Sequence, residues 1–234
     1  MQHIVLFVCT VCSITMVVLQ IISVQEPCVV TVDIVTYGDS LTAAHASGRI
    51  LQCDSGHGFG YQQYIYNKLR ESGVHPRIHN LGINSQTSAQ IAARVTSALQ
   101  TDYLLFLMGT NDLPTWKTPE NNRTVVDAIA YALAQQPLVR RGRVLVGTIP
   151  PECAGFPRAN PGAAEALNQA LIRDSREKQT YEVVDIYAAL VIPGTRYRHP
   201  AYCLPDLLHF TDAANQVVGH VFAHAIATHP LSKQ

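Results

Sequence analysis

The chain has 234 residues, with 17 basic and 17 acidic side chains, a formal net charge of zero, 47% hydrophobic residues and 15% charged ones. That much apolar sequence can build one sizeable core and excludes a disordered polymer. The balanced charge and the absence of a long basic run exclude nucleic acid as a partner; Arg140, Arg141 and Arg143 form a short cluster that reads as a solvated loop before a strand.

In chain order, the first segment is an export or membrane signal. Residues 1–25 contain no Asp, Glu, Lys or Arg, and 4–24 are apolar apart from scattered Thr, Ser, Cys and Gln20. A cleaved secretory signal and an uncleaved anchor attached through residues 4–24 both remain open, since the stretch is long for a signal core and lacks a basic flank. The expected division is therefore 1–25 as leader or anchor and 26–234 as one domain, secreted or extracytoplasmic, with 26–30 as the tether.

Export changes how the cysteines are read. With Cys9 and Cys12 in the leader, Cys28, Cys53, Cys153 and Cys203 form an even set that predicts one or two structural disulfides, and the three pairings stay open. Asn122-Arg123-Thr124 is a glycosylation sequon if the host supports that modification.

Apolar runs predict strands over 31–37, 77–81, 103–108, 143–149 and 182–186, and helical periodicity fills 60–72, 88–99, 121–136, 162–178 and 212–227. Nearly continuous apolar strands joined by helices predict an α/β fold: a three-layer α/β/α sandwich around a five-stranded parallel sheet in flavodoxin-like order 2-1-3-4-5. In that order the carboxyl ends of the first three strands gather on one edge, where open sheets bind ligands.

The residues at those ends carry chemistry. Ser40 in Gly38-Asp39-Ser40-Leu41 follows the first strand. Gly-Asp-Ser alone is a common turn, but an alcohol at that edge becomes a nucleophile if an imidazole, itself held by a carboxylate, reaches it. Asp206 and His209, three apart near the far end of the chain, supply both: in a helical turn they share one side, leaving Nε2 free to face Ser40. Asn111 in Gly109-Thr110-Asn111-Asp112 follows the third strand and offers an amide to an oxyanion. Gly82 follows the second and offers a bare backbone N–H. Seen singly, each is as readily a cap, a turn or a loop residue. Together they describe one site.

In these motifs the chain resembles the SGNH, or GDSL, hydrolase family over about residues 31–228. The resemblance implies Ser40 as nucleophile, Asp206 and His209 as its partners, and Ser40, Gly82 and Asn111 as the oxyanion hole, with no metal and no organic cofactor. The five residues after Gly82, at 83–87, match less closely. The implied activity is that of a serine esterase acting on short acyl esters or lysophospholipids, with carbohydrate O-acetylesterase or thioesterase as alternatives. A non-catalytic glycan- or lipid-binding module on the same fold is the reading from another class. Loss of a triad member would mark it, and none is lost.

Other features have plainer readings. His220 and His224 are four apart on the last helix with no third ligand nearby in sequence, so they read as a surface or packed pair. Trp116 and the Pro/Gly-rich stretch 150–162 are candidate cleft walls. Little length is left for a lid, which favours short acyl groups or an open cleft.

Overall fold

A computed structural model describes residues 31–52, 59–95, 101–115, 123–134 and 143–228. The leader, the tether, Cys28, Cys53, Trp116 and Asn122 of the sequon lie outside the described residues. Among the described residues no helix is long and apolar enough to cross a membrane.

The central sheet is built from β1 (Val32–Gly38), β3 (Pro76–Gly82), β4 (Tyr103–Leu107), β5 (Arg143–Gly147) and β7 (Glu182–Val184), all parallel, with a short antiparallel edge strand β2 (Ile50–Leu51). Its order is β2-β3-β1-β4-β5-β7. Setting β2 aside, the parallel strands run 2-1-3-4-5, as the sequence predicts. The edge strand escaped notice because two residues carry no periodicity. A second small sheet pairs β6 (Glu152–Cys153) with β8 (Tyr197–Arg198).

Alternation along the strands divides the core into two layers. Ile34, Leu105, Leu107 and Leu145 point to one face, against α2 (Tyr61–Glu71) and α7 (Asp212–Thr228). Val35, Tyr37, Leu104, Phe106 and Val146 point to the other, against α3 (Ser88–Ala93), α4 (Thr124–Ala134) and α5 (Pro161–Lys178). β4 is buried at every position, because parallel strands covered on both faces have no solvent side.

The helices begin where local chemistry starts them. Thr87 and Gln90 form a reciprocal capping box at α3, and Asn160 caps α5 ahead of Pro161, whose missing N–H costs nothing in the first turn. Tyr61, Ile65 and Leu69 give α2 one apolar stripe, which crosses α7 closely. At that crossing a Cβ on Gly219 would stand 2.4 Å from Tyr64 Cβ and 2.5 Å from the Tyr61 carbonyl, so only glycine lets the backbones approach.

One disulfide is present among the described residues, Cys153–Cys203, with Cα atoms 6.1 Å apart. It ties β6 to the segment leading into α7.

The α2–α7 contact is the layer that brings the end of the chain back over the sheet. Phe222 is fully buried and stacks on Tyr61 at 5.6 Å. Phe222→Ala is expected to cost about 3–5 kcal/mol of unfolding free energy, read as a lower urea midpoint with an unchanged slope.

Candidate active site

The site starts from a very short helix. Asp39 caps α1 (Ser40–Ala43) by accepting the Leu41 N–H at 2.9 Å, and the turn continues from the carboxyl end of β1. Four residues make a poor helix, with almost every backbone group unpaired at one end or the other. Buried amides supply what is missing. Asn80 Nδ2 donates to the Thr42 carbonyl at 2.9 Å and the Ala43 carbonyl at 3.2 Å, and Gln62 Nε2 donates to the Thr42 carbonyl at 2.9 Å. Thr42 Oγ1 meets the Tyr61 hydroxyl at 3.1 Å. These contacts fix the half-buried Ser40 at the sheet edge.

Asp206 and His209 reach the same edge from the loop before α7. His209 Nε2 lies 2.9 Å from Ser40 Oγ, and His209 Nδ1 lies 2.6 Å from Asp206 Oδ2. The turn is not helical, contrary to the sequence expectation: Leu207 sits in the left-handed region at φ 59°, and Asp206 Oδ1 accepts the N–H groups of Leu208 and His209, each at 3.0 Å. One carboxylate thus shapes the turn with one oxygen and holds the imidazole with the other. Burial opposes the charge on Asp206, but the His209 ring hydrogen bond and the two backbone N–H groups outweigh it and bring the carboxyl down to about 2. An ionised Asp206 can only accept, so Nδ1 carries the proton and Nε2 is left to accept from Ser40.

Asn111 stands on the 3₁₀ turn Thr110–Thr115 after β4, and one amide hydrogen donates to the Gln86 carbonyl at 3.0 Å. The neighbouring Asp112 accepts the N–H and hydroxyl of Ser88 at 2.9 and 2.8 Å. The 83–88 loop and the Asn111 turn are therefore clamped together.

Gly82 serves a different purpose from the one expected of it. Its N–H donates to Asn80 Oδ1 at 3.0 Å, and a Cβ there would stand 2.2 Å from the Ala43 nitrogen. Glycine is required because α1 lies directly on the strand end, and its N–H is already engaged. Further along the same loop, Ser85 is exposed and holds φ at 63°, and no described residue accepts its N–H. A non-glycine residue in that region is uncommon enough to attract notice, and the sequence alone gives no sign of it.

Three groups escaped the sequence reading. Asn80 and Gln62 look like ordinary polar residues of a strand and a helix. Arg198, in Tyr197-Arg198-His199, looks like a surface arginine, yet it is 2% exposed and donates to the Pro151 carbonyl at 2.9 Å and the Leu208 carbonyl at 3.0 Å.

The cleft is open. The side chains of His209 and Asp206 remain 37% and 50% exposed, too accessible for the end of a deep tunnel. A cavity of about 420 Å³ is lined by Pro114 on the Asn111 turn and by Arg158, Ala159 and Asn160 of the Pro/Gly-rich stretch, without Ser40, Asp206 or His209. His220 packs edge-on against Tyr64 at 6.2 Å, and among the described residues no metal-ligating cluster forms around it.

Comparison with known proteins bears on this geometry. The family model of the GDSL-like lipase/acylhydrolase family matches residues 36–217. Among solved structures, a lipase/acylhydrolase from Enterococcus faecalis is 19% identical with a TM-score of 0.67, covering 87% of this chain and 100% of its own. An acetylxylan esterase from Geobacillus stearothermophilus is 18% identical with a TM-score of 0.64, covering 83% and 94%. A hydrolase from the metagenome of Lake Arreo, Spain, is 24% identical with a TM-score of 0.63, covering 84% and 95%. No curated protein matches the chain.

Beneath Ser40 the site leaves a pH signature. Asp39 is fully enclosed, its Oδ2 has no hydrogen-bond partner, and burial pushes its carboxyl up to about 7 despite the Leu41 N–H, with Asp112 adding to the rise. The folded state then holds a proton that the unfolded chain releases above its ordinary value of 3.8, so this group makes stability fall as pH rises from about 4 to about 7. Asp39→Asn keeps the cap and removes the charge. Urea titrations across that window are expected to show the variant less pH-sensitive than the parent, by up to about 1 kcal/mol per pH unit.

Proposed function

The chain belongs to the GDSL-like lipase/acylhydrolase family and is a carboxylic ester hydrolase, and from that premise we propose that Ser40, His209 and Asp206 form the nucleophilic triad of a serine esterase. The observation that carries the reading is the continuous hydrogen-bond chain from Asp206 Oδ2 through His209 to Ser40 Oγ, at 2.6 and 2.9 Å.

In this reading Ser40 Oγ attacks the acyl carbon as its proton passes to His209 Nε2, and the imidazolium is stabilised by Asp206, which stays ionised throughout. The carbonyl electron pair moves onto oxygen. The Ser40 N–H and the second amide hydrogen of Asn111 receive that charge, the first hydrogen being spent on the Gln86 carbonyl that orients the group. The Gly82 N–H is engaged by Asn80, so the third donor is assigned to the exposed Ser85 peptide of the adjoining loop. Collapse of the intermediate expels the alkoxide, which takes the proton from His209. Water then attacks the acyl-enzyme, His209 again taking a proton, and the acid leaves with Ser40 restored.

The substrate class proposed is short acyl esters. The accessible His209 and Asp206 give a long acyl chain no enclosed surface to displace water from. Release of O-acetyl groups from a glycan is the second reading, supported by the exposure of His209 and Asp206, which leaves room for a bulky hydroxylated leaving group.

Extracytoplasmic residence is proposed as well. It rests on the uncharged segment 1–25 and is supported by the Cys153–Cys203 disulfide, which persists where thiols are not kept reduced. Sequencing the amino terminus of the exported protein decides between a cleaved leader and a retained anchor.

Hydrolysis of p-nitrophenyl esters from acetate to decanoate tests the reaction. The expected outcome is activity highest at short chains and about a thousandfold or more lower in Ser40→Ala of equal foldedness. Equal rates in parent and variant would remove Ser40 from the chemistry, and a decanoate optimum would reverse the substrate assignment.

A further inference from the structure

Arg198 occupies an unusual place for an arginine. It is 2% exposed, and among the described residues its guanidinium is not within ion-pairing distance of a carboxylate. Its contacts are with main-chain carbonyls: Nε donates to Pro151 at 2.9 Å, and Nη1 donates to Leu208 at 3.0 Å and to His209 at 3.5 Å. The guanidinium lies over the Phe210 ring, 4.7 Å from its centre. Burial lowers its pKa to about 10, which still leaves it cationic at neutral pH.

The Leu208 and His209 carbonyls belong to the peptide groups that launch the His209 side chain. The His209 N–H donates to Asp206 Oδ1 at 3.0 Å, and its carbonyl also accepts the Leu204 N–H at 3.1 Å. The loop closes on itself through the bridge between Cys203 and Phe210, and Cys203 is bonded to Cys153, which faces Arg198 across the small sheet. Everything that holds His209 from behind thus converges on the Arg198 strand. The forked guanidinium can serve carbonyls from two separate segments at once, which an ammonium cannot.

We propose that Arg198 is a positioning residue for His209, fixing the Leu208 and His209 carbonyls so that the imidazole stays within hydrogen-bond reach of Ser40. It touches no reacting atom. The inference rests on the esterase reading of the site for its kinetic consequence, and on geometry alone for its structural one.

The test compares the full chain with Arg198→Met and Arg198→Lys. In Arg198→Met kcat is expected to fall about 100-fold with KM within twofold, because a displaced base costs the chemical step and leaves binding alone. Arg198→Lys, which keeps the charge and loses the fork, is expected to lose kcat as well. The far-downfield proton resonance of the His209–Asp206 hydrogen bond, read without any substrate, should broaden or vanish in both variants. Parent-like kcat in either folded variant would overturn the proposal, as would a parent-like resonance. Should Arg198→Met fail to fold, Arg198→Lys decides by the same readings. If the parent hydrolyses no ester, the esterase reading fails, and the resonance still decides the positioning role.

Discussion

β1 hydrogen-bonds to β3 on one side and to β4 on the other, all three running the same way. Connections leave a central strand in opposite directions at such a point, and a crevice opens above its carboxyl end. The rest of the site depends on that crevice. Ser40 rises from β1, the 83–88 loop from β3 and the Asn111 turn from β4. No long-range search is needed to bring those three segments together, because pairing the strands in register has already done so. What must be added is the imidazole, which comes from a loop lying outside the sheet altogether.

The two halves of the site are therefore held by different physics. The Ser40 half is set by buried neutral amides, Asn80 and Gln62, that pair with the carbonyls of a four-residue helix. Neutral donors can be buried at little cost once paired. The His209 half is set by charge: a carboxylate that folds its own turn, and a buried guanidinium that grips two peptide carbonyls from behind. A loop without a sheet ladder needs stronger anchors. Charge-assisted hydrogen bonds and a disulfide supply them.

The legible part of this protein is the part built on periodicity. The run Tyr103–Leu107 is buried at every position and announces an interior parallel strand, and the stripe at Tyr61, Ile65 and Leu69 announces a helix. The meeting of Ser40, His209 and Asp206 was legible because an alcohol, an imidazole and a carboxylate form a set that has a joint use and little meaning in parts. The illegible part lies in single conformations and single contacts. Nothing in Asp206-Leu207-Leu208-His209 says that Leu207 turns left-handed, so the pair is read as a helical turn when the carboxylate has built a tighter one. Gly82 was read as a donor, whereas its role is to admit the α1 backbone, and a glycine that makes room looks the same in sequence as one that reaches a ligand. Arg198 gave no signal at all, because a buried arginine and a surface one share the same letter.

Ser40 and His209 are 169 residues apart, and the disulfide that steadies the second closes a span of 50. A chain growing from its amino terminus presents Ser40 early, and the imidazole that meets it arrives only when the last loop and helix emerge and dock. The Ser40–His209 contact therefore coincides with completion of the fold, and a half-made molecule holds the serine without its imidazole.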